Sequence, residues 1–313
     1  MIRNFFLALL IAVSPAIRAD VVSTQVSAFE GDDPAIRIHG ALELASKSSD
    51  GNEIGSLSAL AWDQDEGILH ALSDNAHLYH FKPVFEDGRL VAVEFLDRFR
   101  LRDSDGDKLK GKERDSEGMH VVNGNNGVKG DSELLIAFEQ KPRIDRFSVE
   151  GRQVGEVELP EALTNVRNYS GANHALEAVT WHPEYGVMTL PQRPQDDGHF
   201  LYAASGRKWP YEMTSLRGNE VVAIETMPDG ALLVMERLFE PGVFGGGIIT
   251  LRRAIIGDEN LQLSNLAVLK SRDGWRLENF EGLSHHQDGR YFMVSDNDDK
   301  TGRPTLLYYF SFR

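Results

Sequence analysis

The chain has 313 residues, 41% of them hydrophobic and 26% charged, so it is long enough to bury a sizeable core and is predicted to fold. Acidic residues outnumber basic ones by 48 to 33, and the formal net charge of −15 argues against nucleic acid or an anionic membrane surface as a partner. The absence of cysteine excludes disulfides, thiolate metal sites and a cysteine nucleophile. Cations or neutral molecules are the ligands that such a surface favours.

The N-terminal segment MIRNFFLALLIAVSPAIRAD has a basic start, an apolar run and a small residue, Ala19, at a cleavage position. This pattern predicts a secretory signal over residues 1–19, followed by a single domain over residues 20–313. The apolar run is about half of the roughly 20 residues that a membrane-spanning helix needs. We therefore expect export to the periplasm or the extracellular space, without stable insertion into a membrane.

Five segments repeat one hairpin formula, in which a small or acidic residue precedes an apolar strand, a turn follows, and a second strand ends in polar residues. Alternation near period two and abundant β-branched and aromatic residues indicate strands. The five segments are LSALAWDQDEGILHALSDN (57–75), SEGMHVV to SELLIAFEQ (116–140), LEAVTWHPEYGVMTLPQR (176–193), VVAIETMPDGALLVMER (221–237) and FEGLSHHQDGRYFMVSDN (280–297).

Repetition at roughly 45–60 residues, with several strands in each unit, predicts an all-β fold, a β-propeller. Six blades fit the length best, with five or seven as alternatives, and a β-sandwich is the competing fold. Residues 20–47 and 260–277 are expected to supply further strands. The C-terminal TLLYYFSF (305–312) is expected to pair with N-terminal sequence and close the ring.

The hairpins also place their acids at equivalent ends. Centring the last turn on Asp288-Gly289 puts Glu281 opposite Asp296, and similar spacing puts Val221 opposite Glu236. Radial repetition gathers these ends on one face, around the central channel. The predicted metal ligands are Asp74, Glu117, Glu139, Glu177, Glu236, Glu281 and Asp296.

Crowded carboxylates need a compensating cation, and two kinds are open. A divalent cation such as Ca²⁺ accepts six to eight oxygen ligands in flexible geometry. Alternatively, arginines at the blade ends form a purely structural ring of ion pairs with the acids. If a metal is bound, the same arginines, Arg143, Arg193 and Arg237, are predicted to bind substrate.

Other motifs in the sequence give weaker indications of function. Asp103, Asp105 and Asp107 resemble the start of a Ca²⁺ loop, but Lys108 and Arg114 stand where an EF-hand needs Gly and Glu, which favours a solvated acidic loop. His285 and His286 are neighbours on a strand, so at most one of them can face the centre. Motifs of serine hydrolases, zincins and nucleotide-binding proteins are absent, and the sequence assigns no catalytic residue.

RDSEGMHV, LIAFEQKPRIDRFSVEGRQVGEVELP, NHALEAVTWHP, PDGALLVMERLF and NFEGLSHHQDGRYFMVSDND, in this order, resemble the phytase-like family, named for an esterase-like activity of phytase. The resemblance extends from about residue 55 to residue 312 and implies an exported, Ca²⁺-dependent β-propeller hydrolase. Gln192 departs from the acid expected in its blade. The positions that match the family's recurrent polar residues are Glu117, Glu139, Glu177, Glu236, Arg237, Glu281 and Asp296.

Two functions are open at this point. The first is a monomeric, exported hydrolase of small phosphate or carboxylic esters, with Ca²⁺ held by the central carboxylates. Ca²⁺ would reverse the local field that otherwise repels a phosphate. The second is a non-enzymatic propeller that binds a ligand or protein partner through its acidic face and uses the cation for structure alone. Fold class does not separate the two functions.

Overall fold

The structure, a computed structural model, describes residues 20–30, 35–171, 174–195, 197–239, 246–297 and 302–313. The predicted signal segment, residues 1–19, lies outside the described residues. Described helices are limited to α1 (Glu161–Thr164) and three 3₁₀ turns at Gly111–Glu113, Val166–Asn168 and Ser271–Asp273. Within the described chain, no helix has the length and hydropathy needed to cross a membrane.

The strands form five antiparallel sheets, which are the blades of a propeller. Blade 1 contains β1 (Asp20–Val21), β4 (Leu57–Asp63), β5 (Ile68–Ser73), β6 (His77–Glu86) and β7 (Arg89–Arg100). Blade 2 contains β8 (Ser116–Val122), β9 (Glu133–Phe138), β10 (Arg143–Ser148) and β11 (Gln153–Glu156). Blade 3 contains β12 (Leu176–His182), β13 (Gly186–Pro191), β14 (Phe200–Ala203) and β15 (Lys208–Pro210).

The last two blades complete the ring. Blade 4 contains β16 (Glu220–Thr226), β17 (Leu232–Phe239), β18 (Gly247–Ile256) and β19 (Leu261–Lys270). Blade 5 contains β2 (Ser23–Gln25), β3 (Arg37–Leu44), β20 (Asn279–His285), β21 (Arg290–Asp296) and β22 (Thr305–Ser311). Strands β4, β8, β12, β16 and β20 contact one another in cyclic order, so they surround the central channel.

The all-β propeller prediction is confirmed, but the preferred count of six blades is wrong, and five, one of the alternatives, is correct. The segments expected to supply further strands add them to these five sheets. Strand β19 is the outer strand of blade 4, and β3 lies between β2 and β22 in blade 5. In that blade Thr305 of β22 pairs with Leu44 of β3, so the two ends of the chain close the ring together.

Turn chemistry explains why these hairpins form where they do. Strands β6 and β7 are joined by Asp87 and Gly88, whose φ angles are 47° and 74°. Two consecutive left-handed residues make the turn whose twist matches that of the strands, and Asp-Gly accepts this geometry at low cost. Asp288 and Gly289, between β20 and β21, also have positive φ values of 53° and 68°.

Small residues let the inner strands approach closely. Five equivalent positions on these strands hold Ala59, Gly118, Ala178, Ala223 and Gly282. A Cβ atom on Gly118 would lie 2.6 Å from the carbonyl oxygen of Glu177, and one on Gly282 would lie 3.0 Å from the carbonyl carbon of Ala59. A cavity of only about 10 Å³ remains beside them, the space of about one water molecule. The constriction divides the channel into an upper mouth, where the inner strands begin, and a lower mouth, where they end.

Candidate functional site

A β-bulge interrupts the pairing of every inner strand at the same place. The register shifts between Leu57 and Ala59 in β4, and the corresponding shift recurs in the other four blades. The extra residue of a bulge leaves the ladder, and its side chain takes a new direction. The five extra residues, Ser58, Glu117, Glu177, Val222 and Glu281, line the small cavity in the channel, and we call them the bulge ring.

The bulge corrects the cross-strand pairing expected from the sequence. Asp296 lies opposite Asn279, not Glu281, because the ladder of β20 and β21 is centred one position away from the expected one and the inserted residue adds a further shift of one. For the same reason Glu139 bonds to the backbone of Asp115, through its N–H and the Asp115 carbonyl, and not to that of Glu117. The residues at this end of the second strands are Asp74, Glu139, Gln192, Arg237 and Asp296.

Three carboxylates meet in blade 2. Ligand oxygens of Asp115, Glu117 and Glu139 lie within 4.8 Å of one another, the one group of this kind among the described residues. Oδ2 of Asp115 is buried and has no hydrogen-bond partner. Oε1 of Glu139 accepts a 3.1 Å hydrogen bond from the Ala175 backbone N–H. Oxygen ligands at this spacing, one of them buried without a partner, fit a hard divalent cation.

The electrostatics of this group oppose full ionisation. Burial, and then the nearby Asp115 carboxylate, raise the pKa of Glu139 to about 8. Burial also raises the pKa of Asp115. Burial and the charges of Glu177 and Glu281 hold the pKa of Glu117 well above its usual value. Burial is the first cause of all three shifts, and the charges of neighbouring acids add to it for Glu117 and Glu139.

Arginine compensates the acids on the other side of the channel. Nη1 of Arg237 lies 2.5 Å from Oε1 of Glu281, and its Nη2 lies 2.8 Å from Oε2 of Glu220. Nε of Arg193 donates a 2.9 Å hydrogen bond to the other oxygen of Glu220. Although burial opposes it, the two arginines lower the pKa of Glu220. This chain of ion pairs joins blades 3, 4 and 5, as the arginine-ring alternative expected.

Blade 3 carries a polar pair without a formal cation. Nε2 of Gln192 donates to Oε1 of Glu177 at 3.1 Å, and the amide oxygen of Gln192 is buried without a hydrogen-bond partner. Burial, together with the charges of Glu139 and Glu281, raises the pKa of Glu177. Gln192 therefore presents an unused carbonyl oxygen where the family resemblance leads one to expect an acid.

Glu236 is not brought to the channel with the other acids. It is fully buried, and Arg252 Nη1, 2.8 Å from Oε1, compensates it. Successive side chains of a strand face opposite sides, so one residue of slippage in the alignment exchanges Glu236 for Arg237. The remaining hydrogen bonds to its carboxylate come from Tyr211 Oη, Thr214 N, Thr214 Oγ1 and Asn219 Nδ2.

Arg143 is likewise engaged elsewhere. It lies on the third strand of blade 2, where its Nε lies 2.7 Å from Asp145 Oδ2 and its Nη2 donates to the Glu113 carbonyl. Its guanidinium carbon lies 3.7 Å from the centre of the Phe138 ring. These contacts hold the side chain against its own blade, so they give no support to the substrate-binding role predicted for it.

The remaining sequence candidates are placed as follows. Asp74 follows β5, where Oδ1 accepts a 2.6 Å hydrogen bond from the Asn75 amide. Asp103 Oδ1 accepts from the backbone N–H of Asp107, a closure within the loop itself that agrees with a solvated acidic loop. His286 packs among aromatic rings, and its Nδ1 lies 2.6 Å from Tyr309 Oη, whereas His285 lines the lower mouth.

Sequence reasoning missed two members of the site. Asp115 was missed because it precedes the segment 116–140 that matches the hairpin formula, although Asp-x-Glu is visible in RDSEGMHV. Glu220 was missed because it precedes the apolar run of blade 4. Aligning the five segments on their small residue, Ala or Gly, puts the bulge ring in one column and Asp115 and Glu220 in another.

The chain was compared with family models, curated proteins and solved structures. The sequence model of a family described as "Phytase-like: Esterase-like activity of phytase" matches residues 52–299. No curated protein matches the chain. Similar solved structures include a gluconolactonase from Xanthomonas campestris, with TM-score 0.46, 12% identity and 95% and 99% of the two chains covered. Another is the Cps50 (Swd1) β-propeller domain of Myceliophteria thermophila, with TM-score 0.41, 10% identity and 95% and 100% coverage.

Proposed function

The chain belongs to the phytase-like family, and we propose that it is an exported hydrolase of small phosphate or carboxylic esters whose upper mouth holds a divalent cation, Ca²⁺ by preference. The observation that carries the proposal is the group of Asp115, Glu117 and Glu139, whose ligand oxygens lie within 4.8 Å of one another. The description of the family as having an esterase-like activity supports the reaction class.

The residues that would hold the cation are those of blade 2, with the free amide oxygen of Gln192 and the Glu177 carboxylate beside them. Carboxylate and amide oxygens are the donors that Ca²⁺ prefers. When bound, the cation would supply Lewis acidity toward a substrate oxygen and charge to offset the carboxylates. Asp74 and Asp296, at equivalent strand ends, remain candidates for a wider set of ligands.

Other side chains of the mouth prepare the site. Arg237 fixes Glu281 and Glu220 through one guanidinium, which holds the two carboxylates in place across the boundary of blades 4 and 5. Arg193, with 38% of its side chain exposed, contacts Glu220 and reaches solvent. Of the three arginines predicted to contact substrate, Arg193 is therefore the best candidate to meet a substrate anion. Glu139, with its raised pKa, can hold a proton near neutral pH when the cation is absent.

The test is turnover of a panel containing phytate, p-nitrophenyl phosphate and p-nitrophenyl acetate, with Ca²⁺ and with a chelator. We expect Ca²⁺-dependent hydrolysis that Glu117→Gln lowers a hundredfold or more, the usual cost of a lost transition-state contact. The matched control is Asp105→Asn, an exposed acid outside the site, which should retain full turnover. Wild-type inactivity toward the whole panel with Ca²⁺ present would contradict the hydrolase and favour the non-enzymatic binder.

A further inference from the structure

The lower mouth of the channel contains a second pocket. Its volume is about 320 Å³, and it lies beyond the constriction formed by the small residues of the inner strands. A volume of this size is at the lower end of the range for small-molecule sites, roughly 300–1,000 Å³. We call it the lower pocket. The residues used below that line it are Trp62, His120, Asn123, Asn126, Trp181, Glu225 and His285.

Glu225 is a buried acid in this pocket, with 9% of its side chain exposed. Its ion-pair partner among the described residues is His120, whose Nδ1 lies 3.6 Å from Oε2, longer than a hydrogen bond. Glu236 shows the contrast, because that buried carboxylate is held by Arg252 at 2.8 Å, by three other side chains and by one backbone N–H. Burying a carboxylate costs free energy unless ion pairs or hydrogen bonds compensate it, and Glu225 has less of this compensation than Glu236.

His285, near Glu225, does not neutralise the charge of the Glu225 carboxylate. Nε2 of His285 is buried and has no hydrogen-bond partner. Burial lowers the pKa of His285, so this imidazole is neutral near neutral pH. The described residues that line the pocket include no Lys or Arg. The permanent formal charge of the lining is therefore that of Glu225, and the pocket attracts a cation.

Two indoles complete the lining. Trp181 is 44% exposed, an unusual exposure for a large apolar side chain, and Trp62 is half-buried. Aromatic rings beside a carboxylate suit the alkyl groups and positive charge of an organic ammonium ion. A neutral sugar fits less well, because two of the four lining amides are already used: Asn126 bonds to Asp131 and Val128, and Asn123 to the Asp131 carbonyl.

A metal ion also fits less well than an organic cation. His120, Glu225 and His285 do not form a set of three ligand atoms within 4.8 Å, a condition that the described residues meet in the upper mouth. We propose that the lower pocket binds a small organic cation, a primary or quaternary amine, with Glu225 as its counter-ion and Trp62 and Trp181 as its apolar walls. This site is separate from the carboxylates of the upper mouth and does not depend on the proposed hydrolase activity.

The test is calorimetric titration with choline, tetramethylammonium and putrescine in the presence of a chelator, so that no divalent cation contributes. The neutral comparison ligand is 3,3-dimethyl-1-butanol, which has the shape of choline without its charge. We expect at least one of the cations to bind, and the neutral analogue to bind at least about tenfold more weakly than choline. Glu225→Gln should weaken choline binding about tenfold or more, and Trp181→Leu about three- to thirtyfold.

Two controls locate the site. Glu117→Gln, at the other mouth, should leave choline binding unchanged. Trp181→Leu changes an exposed residue, so it tests the pocket even if Glu225→Gln fails to fold. Equal binding of choline and its neutral analogue, equal binding by wild type and both pocket variants, or no binding of any cation up to about 10 mM would each overturn the proposal. Zn²⁺ binding that is lost in Glu225→Gln, with no amine bound, would also overturn it in favour of a metal.

Discussion

The two sides of the upper mouth differ in how the charge of their buried carboxylates is compensated. In blades 4 and 5, Arg237 bridges Glu281 and Glu220, and the arginines lower the pKa of Glu220. In blade 2, Asp115 and Glu139 crowd together, and the pKa of Glu139 rises to about 8. In blades 4 and 5, arginine side chains of the protein itself supply the positive charge, and their ion pairs give this side rigidity. Among the described residues, Asp115, Glu117 and Glu139 form no such ion pair, and on this side we propose a cation from solution.

The largest expected effect on stability comes from removing the guanidinium group of Arg237. Arg237→Met should lower the free energy of unfolding by about 3–5 kcal/mol, because it leaves the buried Glu281 without its arginine and Glu220 with Arg193 alone. Chemical denaturation of the metal-free protein measures this change. The control is Arg146→Ala, which breaks an ion pair to Glu133 with both side chains partly exposed and should cost at most about 1 kcal/mol. Equal, small losses for both variants would remove the distinction between the two sides.

The second effect is a pH dependence of the metal-free protein. In the folded state the pKa of Glu139 is about 8, against 4.5 for the ordinary group, so between these values the folded state binds more protons. Stability therefore falls as pH rises from about 5 to 8, with a slope approaching about 1.4 kcal/mol per pH unit. Denaturation at several pH values in chelator measures the slope. Glu139→Gln keeps the acceptor for Ala175 and should flatten it, whereas stability that rises over this range would refute the argument.

The smallest expected effect is that Glu-to-Gln substitutions on the two sides change the stability in opposite directions. Glu117→Gln removes a repelled charge and should stabilise the metal-free protein at pH 8 by about 1 kcal/mol. Glu220→Gln removes a carboxylate that two arginines hold, and should destabilise it by about 2 kcal/mol. Both variants delete one charge from the same mouth, so each serves as the control for the other. Destabilisation of similar size in both would mean that the two sides are equally compensated.

Much of the fold was predictable because hairpin chemistry is local. Alternating apolar residues and the Asp-Gly turns mark the hairpins without knowledge of their neighbours. The number of blades was not, because no local pattern shows whether residues 20–47 and 260–277 form a sheet of their own or add strands to the sheets of neighbouring hairpins. The pairing of the C-terminal strand with N-terminal sequence was expected, and β22 and β3 confirm it.

The candidate site was predictable in outline and wrong in register. Glu117, Glu177 and Glu281 line one cavity, but each is the extra residue of a bulge and so has no simple cross-strand partner. A period-two argument assumes an uninterrupted ladder, and one inserted residue exchanges the faces of everything beyond it. Glu236 pairs with Val221 as expected, but Arg252 holds its carboxylate away from the channel, and Asp115 precedes the apolar run of its blade.

On the uncompensated side of the upper mouth we propose that a divalent cation binds. Calorimetric titration of metal-free protein with Ca²⁺ at pH 7 tests it most directly. The account predicts saturable binding with release of protons, because the carboxylates must lose them to bind. Glu117→Gln and Glu139→Gln should weaken that binding about tenfold or more, while Asp105→Asn leaves it unchanged. No heat of binding and no proton release in the wild type, with the same melting temperature in Ca²⁺ and in chelator, would contradict it.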